Sequence, residues 1–246
     1  MSCSNVGANI VKKNRSKERE DSGVSSHKDI EGFVQWIDEE DARQMAMIDV
    51  YDEKRGVGST VNGWKVIRVD KDPSSGYLAK LYEKDGHFAY VTAGTDITSG
   101  QDIIADISQQ FGFETKQYEQ SIGYAQKLKE QYGNNLVFVG HSLGGGLASA
   151  NSRATGIDAI TFNSAALSDR YRNYKGKGYI DSNIAAYIND GDFLDYTNEV
   201  LFGQKVEGKI IRRSVPSSKL PNLQGIPYTG IYQLRRGVII HMDAGV

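Results

Sequence analysis

The rhythm of hydrophobic and polar positions changes twice along this chain. Residues 1–30 carry few large apolar side chains and are dominated by runs such as Lys12-Lys13-Asn14-Arg15 and Lys17-Glu18-Arg19-Glu20-Asp21. Burial there cannot offset the entropy lost on ordering, so the segment reads as a disordered tail or linker, with His27 facing solvent. Between residues 33 and 51, Phe33, Trp36, Ile37, Met45, Ile48 and Tyr51 recur at helical spacing, with a break near 38–41. Residues 64–69, 77–82 and 88–91 alternate instead, as strands do. The last two are joined by Lys84-Asp85-Gly86-His87, where Asp-Gly tolerates the positive φ of a tight hairpin.

From Gly94 onward helical and strand patterns alternate. Ile103, Ile104, Ile107, Phe111 and Phe113 make a short apolar helix and its exit. It is either an amphipathic element packed on a sheet or a lid hinged at Ser99-Gly100 and Gly112. Tyr118, Ile122, Ala125 and Leu128 form a regular helical stripe. Leu136-Val137-Phe138-Val139, bounded by Gly133-Asn134-Asn135, reads as a buried strand, and strands follow at 158–162 and 184–188. Beyond Tyr196 the pattern is strand and loop, at 209–212, 230–234 and 238–240. Strands separated by helices imply a largely parallel sheet covered on both faces, and the antiparallel hairpin before them makes the sheet mixed. The expectation is an α/β fold, a three-layer sandwich occupying residues 31–246 as one domain without internal repeats.

Directly after the strand at 136–139 stands Gly140-His141-Ser142-Leu143-Gly144-Gly145-Gly146, a G-x-S-x-G pattern. A serine hydroxyl is a poor nucleophile until it is held beside a base and before an oxyanion-stabilising pocket. Glycines at this spacing permit the sharp strand-to-helix bend of a nucleophile elbow, projecting Ser142 at a solvent-facing turn. The Leu143 amide then sits at a helix N-terminus, where free N–H groups and the dipole favour negative charge.

Net charge and cysteine content narrow the alternatives. A formal charge of -2 gives no global attraction to nucleic acid or to an anionic membrane surface. The single cysteine, Cys3, excludes an internal disulfide and a thiolate metal cluster, and the chemistry read here needs neither metal nor cofactor. No run approaches the roughly 18 apolar residues of a membrane span. The start, Met1-Ser2-Cys3-Ser4-Asn5, has no apolar core of a secretory signal, so the expectation is a cytoplasmic protein or one exported without a classical signal.

A reactive serine needs a base and a group that orients the base. His27 lies in the polar tail, His87 opens a hairpin strand, and His141 adjoins Ser142 but points elsewhere, as a packing or hydrogen-bonding residue. His241, just past the apolar run Val238-Ile239-Ile240, remains as the base and fits the chain order Ser…Asp…His. The acid is sought in Asn189-Asp190-Gly191-Asp192-Phe193-Leu194-Asp195, after the strand Ala185-Ala186-Tyr187-Ile188. Asp190 suits a turn, so Asp192 is the first candidate, with Asp195 and Asp190 behind it.

Gly140–Gly145, with Val91-Thr92-Ala93-Gly94-Thr95 upstream and Asn189-x-x-Asp192 downstream, resembles the class 3 lipases of the α/β-hydrolase fold over roughly residues 40–241. The resemblance implies Ser142 as nucleophile, Asp192 as acid, His241 as base, and Thr95 with the Leu143 amide as the oxyanion hole; Asp106 fits a recurrent family aspartate. Ala93 stands where the family commonly has arginine, and Asp96 adds a negative charge beside Thr95. The implied activity is hydrolysis of lipid acyl esters by a lipase or phospholipase, on a lipid or small ester substrate, with any membrane contact made through that substrate. The family includes bacterial phospholipases that act as secreted effectors. Two other readings use the same fold: a catalytically silent domain that binds a partner or ligand, and an acyltransferase with the same triad.

Overall fold

The computed structural model describes residues 23–94, 114–172, 183–189 and 206–213, together with the backbone of two short strands at 233–235 and 238–240. The chain forms α1 (Glu39–Met47), β1 (Thr60–Val61), β2 (Trp64–Asp72), β3 (Tyr77–Lys84), β4 (His87–Thr92), α2 (Glu114–Tyr132), β5 (Leu136–His141) and α3 (Leu143–Thr155). It continues through β6 (Ala159–Phe162), α4 (Asp169–Arg172), β7 (Ile184–Asn189), β8 (Lys209–Arg213), β9 (Gln233–Arg235) and β10 (Val238–Ile240). Strands β1 to β8 make one sheet in sequence order, and β9 pairs with β10 separately. The first four strands are antiparallel neighbours, whereas β4 through β8 run parallel.

Local chemistry explains the hairpins. Asp85 and Gly86 take φ of 51° and 77°, the all-positive pair of a type I′ turn. Asn62-Gly63 joins β1 to β2 in the same manner, at 47° and 83°.

Strand order decides how the layers form. When parallel strands follow one another in sequence order, right-handed crossovers, the rule in about 98% of cases, put every connection on the same face. That face holds the stripe Tyr118, Ile122, Ala125 and Leu128 of α2, the buried helix α3, and Leu136, Phe138, Ala159 and Ile184 from the strands. The opposite face, with Val137, Val139, Ile160, Ala185 and Tyr187, receives no crossover helix among the described residues and is covered by residues 30–50, through Ile30, Phe33, Ile37, Met45, Ala46 and Val50. The alternation of Leu136/Phe138 with Val137/Val139 is the period-2 division of one strand between two cores. The result is a mixed sheet between two layers, an α/β-hydrolase-like sandwich.

Two expectations for the N-terminal region are corrected. His27 is not solvent-facing: it is 0% exposed. Its Nδ1 lies 2.8 Å from the Tyr187 hydroxyl and its Nε2 2.9 Å from the Ile37 carbonyl, and Ile30 joins the core beside it. A ring with both nitrogens satisfied can be buried in spite of its polar sequence context. Helix also begins only at Glu39, because Phe33 and Ile37 reach the sheet from a non-helical stretch and need no helical phase. The expected helix near 103–113, in either of its two readings, lies outside the described residues. Among the described residues no helix is long and apolar enough to cross a membrane.

Candidate active site

The C-terminal edge of the parallel strands gathers the segments that matter. Register places Thr92 beside Gly140, Gly140 beside Thr161, and Phe162 beside both His141 and Tyr187. The chain therefore leaves β4 toward Thr95, β5 into Ser142, and β7 toward Asp190 from one edge of the sheet, where ligand crevices of open α/β sheets form.

Ser142 links β5 to α3 with φ 56° and ψ -127°. A non-glycine residue held there costs on the order of 1–3 kcal/mol and persists only when its surroundings fix it. Those restraints are visible on both sides of its peptide. The Ser142 N–H donates to the Phe162 carbonyl at 3.1 Å. Its own carbonyl accepts from Gly145, Gly146 and Ala165 at 2.9, 3.2 and 3.0 Å. The expectation of a solvent-facing serine is corrected, since Ser142 is 3% exposed, tied beneath the segment that follows β6.

The glycines around it are required by contact. A Cβ on Gly140 would lie 2.1 Å from the Gly144 carbonyl oxygen, and one on Gly145 2.8 Å from Ser164. Helix α3 is consequently pressed into the sheet, with every residue but Ala154 buried. As the first residue of α3, Leu143 has an N–H with no partner inside its own helix, beside the positive end of the dipole. His141, the last residue of β5, is 1% exposed, in keeping with a packing or hydrogen-bonding role.

Thr95, Asp96, Asp106, Asp190, Asp192, Asp195 and His241 lie outside the described residues. Their described neighbours are held closely. Gly94, just before Thr95, donates its N–H to the Tyr51 hydroxyl at 2.7 Å. Asn189, just before Asp190, donates its N–H to Oδ1 of Asn163 at 3.0 Å, while the Asn163 N–H donates to the Tyr187 carbonyl at 2.8 Å. Asn163 stands at φ 41°, a conformation asparagine tolerates better than most residues. Sequence reasoning missed Tyr51 and Asn163. Tyr51 was legible only as an apolar position, and Asn163 only as a polar residue closing a strand.

A cavity of about 320 Å³ opens at the other edge of the sheet, lined by Gly32, Val34, Leu136, Gly156, Asp158 and Asn183 among others. It faces the starts of β5, β6 and β7, away from Ser142. Burial pushes the Asp158 carboxyl up, opposed by hydrogen bonds from the Val34 amide and from Asn183. Among the described residues no group of three or more His, Cys, Asp or Glu side chains is placed to hold a metal ion.

Comparison with known proteins agrees with this fold. A solved triacylglycerol lipase from Penicillium expansum superposes with a TM-score of 0.51 at 15% identity, over 71% of this chain and 79% of that one, which shows a common fold alone. The extracellular phospholipase A1 of Serratia liquefaciens is 39% identical over 135 residues, 52% of this chain and 42% of that protein, so the match spans less than half of the relative's length. A family model described as a phospholipase-like, Tle-like phospholipase domain matches residues 45–227, from within α1 across the whole eight-stranded sheet. The chain belongs to the Tle-like phospholipase domain family, a lipase- and phospholipase-like group of the α/β-hydrolase fold.

Proposed function

We propose that this chain is a serine-dependent hydrolase of phospholipid acyl esters. The observation that carries the reading is Ser142 at φ 56° between a buried strand and a helix whose first amide follows it directly. Membership of a phospholipase-like family and similarity to a protein named as an extracellular phospholipase A1 favour a phospholipid over a small soluble ester.

In this mechanism the Ser142 oxygen attacks the acyl carbonyl while His241 takes its proton, and Asp192 holds the imidazolium. The Leu143 amide and Thr95 stabilise the tetrahedral oxyanion. Collapse of that intermediate expels the lysophospholipid alkoxide, which takes the proton from His241, and leaves Ser142 acylated. Water, deprotonated by the same histidine, then attacks the acyl-enzyme; the acyl–Ser142 bond breaks, the serine oxygen takes the proton back from His241, and a fatty acid is released. The departures at Ala93 and Asp96 favour one rival, a fold retained for binding with a silent serine.

Phosphatidylcholine vesicles incubated with wild type and Ser142→Ala separate the two. Wild type is expected to release fatty acid and lysophospholipid, and to be labelled by a tagged fluorophosphonate. Ser142→Ala is expected to lose at least about three orders of magnitude in turnover and to lose the label. Equal turnover in both proteins, or a wild type that neither hydrolyses nor labels, rejects the reading.

A further inference from the structure

Just past β4, the Ala93 amide still pairs with the sheet, donating to the Leu78 carbonyl at 3.0 Å. One residue on, the Gly94 N–H has left the ladder and donates to the Tyr51 hydroxyl at 2.7 Å. Tyr51 thus extends the fixed part of β4 one residue beyond the sheet, from a turn packed on the face opposite α3.

That peptide is in contact with both sides of the Ser142 turn. A Cβ on Gly94 would lie 2.8 Å from the His141 carbonyl oxygen, 3.1 Å from the Tyr51 hydroxyl and 3.4 Å from the Gly144 nitrogen. From the other side, a Cβ on Gly144 would lie 2.8 Å from the Gly94 nitrogen. The placement of Gly94 therefore sets the gap between the start of α3 and the end of the chain segment leaving β4.

The turn that carries Tyr51 is itself locked. Lys80, 3% exposed on β3, donates its ammonium to the Asp49 carbonyl at 2.6 Å and to the Asp52 carbonyl at 3.0 Å, bracketing Tyr51. The Asp49 carboxylate accepts from the Tyr82 hydroxyl at 2.7 Å and pairs with Arg55 at 3.1 Å. Burying these charged groups is costly, and a buried lysine spent on two carbonyls fixes backbone.

We infer that Tyr51 is a positioning residue for ester hydrolysis: its hydroxyl holds the Gly94 amide and thereby fixes the backbone pressed against the His141–Gly144 turn, where the Leu143 amide stands to stabilise the oxyanion. The inference rests on the hydrolase reading above. Oxyanion stabilisation depends on donor placement to within fractions of an ångström, so a loosened Gly94 penalises the tetrahedral state more than the bound substrate.

The test is Tyr51→Phe, assayed with a short-chain ester and with butylboronic acid, which forms a tetrahedral adduct with an activated serine. The expected result is a fall in kcat of about 10-fold with KM within about 2-fold, and a rise of about 10-fold in the boronate inhibition constant. Lys80→Met, which leaves Tyr51 in place but frees the turn, is expected to move both quantities the same way by about 3-fold. Tyr77→Phe is the control, because it deletes a buried hydroxyl on the other face of the sheet, 2.9 Å from that of Tyr90. It is expected to lower Tm and to leave kcat and the boronate constant unchanged. If wild type hydrolyses no ester and is not inhibited by the boronate, the hydrolase reading fails and this inference falls with it. If wild type responds but Tyr51→Phe does not change kcat and boronate binding together, whatever Lys80→Met does, Tyr51 has no positioning role and only this inference is overturned. A loss of kcat in Tyr77→Phe in proportion to its Tm overturns it equally, since the effect would then be one of stability.

Discussion

Thr92 and Gly144 meet with no room between them: the threonine hydroxyl donates to the Gly144 carbonyl at 2.7 Å, and a Cβ on Gly144 would lie 2.2 Å from the Thr92 carbonyl oxygen. The end of β4 and the first turn of α3 are thus one unit, and the glycine is what lets them touch.

Gly144→Ala is expected to destabilise the fold by about 3 kcal/mol, because the new methyl meets backbone on a neighbouring strand that cannot move aside cheaply. For a chain of this size that lowers Tm by roughly 10 degrees. Gly123→Ala gives the opposite expectation. Gly123 lies inside α2 with nothing within 4 Å of a Cβ, so alanine should stabilise by about 0.5–1 kcal/mol through its helix propensity. Thermal melts of the two variants check both signs.

His27 makes stability depend on pH. Burial lowers its pKa below the ordinary value of 6.5, opposed by its hydrogen bond to the Ile37 carbonyl and by Glu39 and Asp38, and aided by Lys28. The unfolded chain therefore binds the proton more readily than the folded one. The contribution is fully present above about pH 6.5 and is lost as pH falls toward the depressed folded value. Urea midpoints at pH 8 and pH 5 are expected to fall further for wild type than for His27→Gln; equal differences would show that the ring titrates alike in both states.

Glu207, leading into β8, is the shared partner of two helices: it meets Arg153 of α3 at 3.0 Å and Arg172 of α4 at 2.5 Å. The Arg153 side chain is only 3% exposed. Glu207→Gln is expected to cost about 3 kcal/mol, since it removes the carboxylate that compensates a buried guanidinium. Denaturant titration measures it.

Within the proposed triad, Asp192→Asn is expected to reduce kcat by about 10⁴, the effect of presenting an amide to the imidazole, and more than Asp190→Asn or Asp195→Asn. Truncation after Ile240 should leave a folded, inactive protein. For wild type, kcat/KM should rise through about pH 6–7 as a histidine base loses its proton. Steady-state kinetics on a short-chain ester checks all three, and greater damage from Asp195→Asn would move the acid three residues on.

The sequence by itself determined what is local. The stripe from Tyr118 to Leu128 repeats within one helix, the alternation in β2 to β4 repeats within single strands, and Asp85-Gly86 encodes its turn in two residues. The spacing of glycines around Ser142 likewise carries a bend whose geometry depends on adjacent backbone. Tertiary structure decided what joins distant residues. Strand order sends the crossover helices α2 and α3 to one face, so residues 30–50 become the cover of the other, and His27 is buried against Tyr187, 160 positions away. Tyr51 on Gly94 and Asn163 on Asn189 are of the same kind, 43 and 26 positions apart. Hydrogen bonds across such separations leave no periodicity in the chain, because the partner is chosen by how the layers pack and not by what stands three or four residues along.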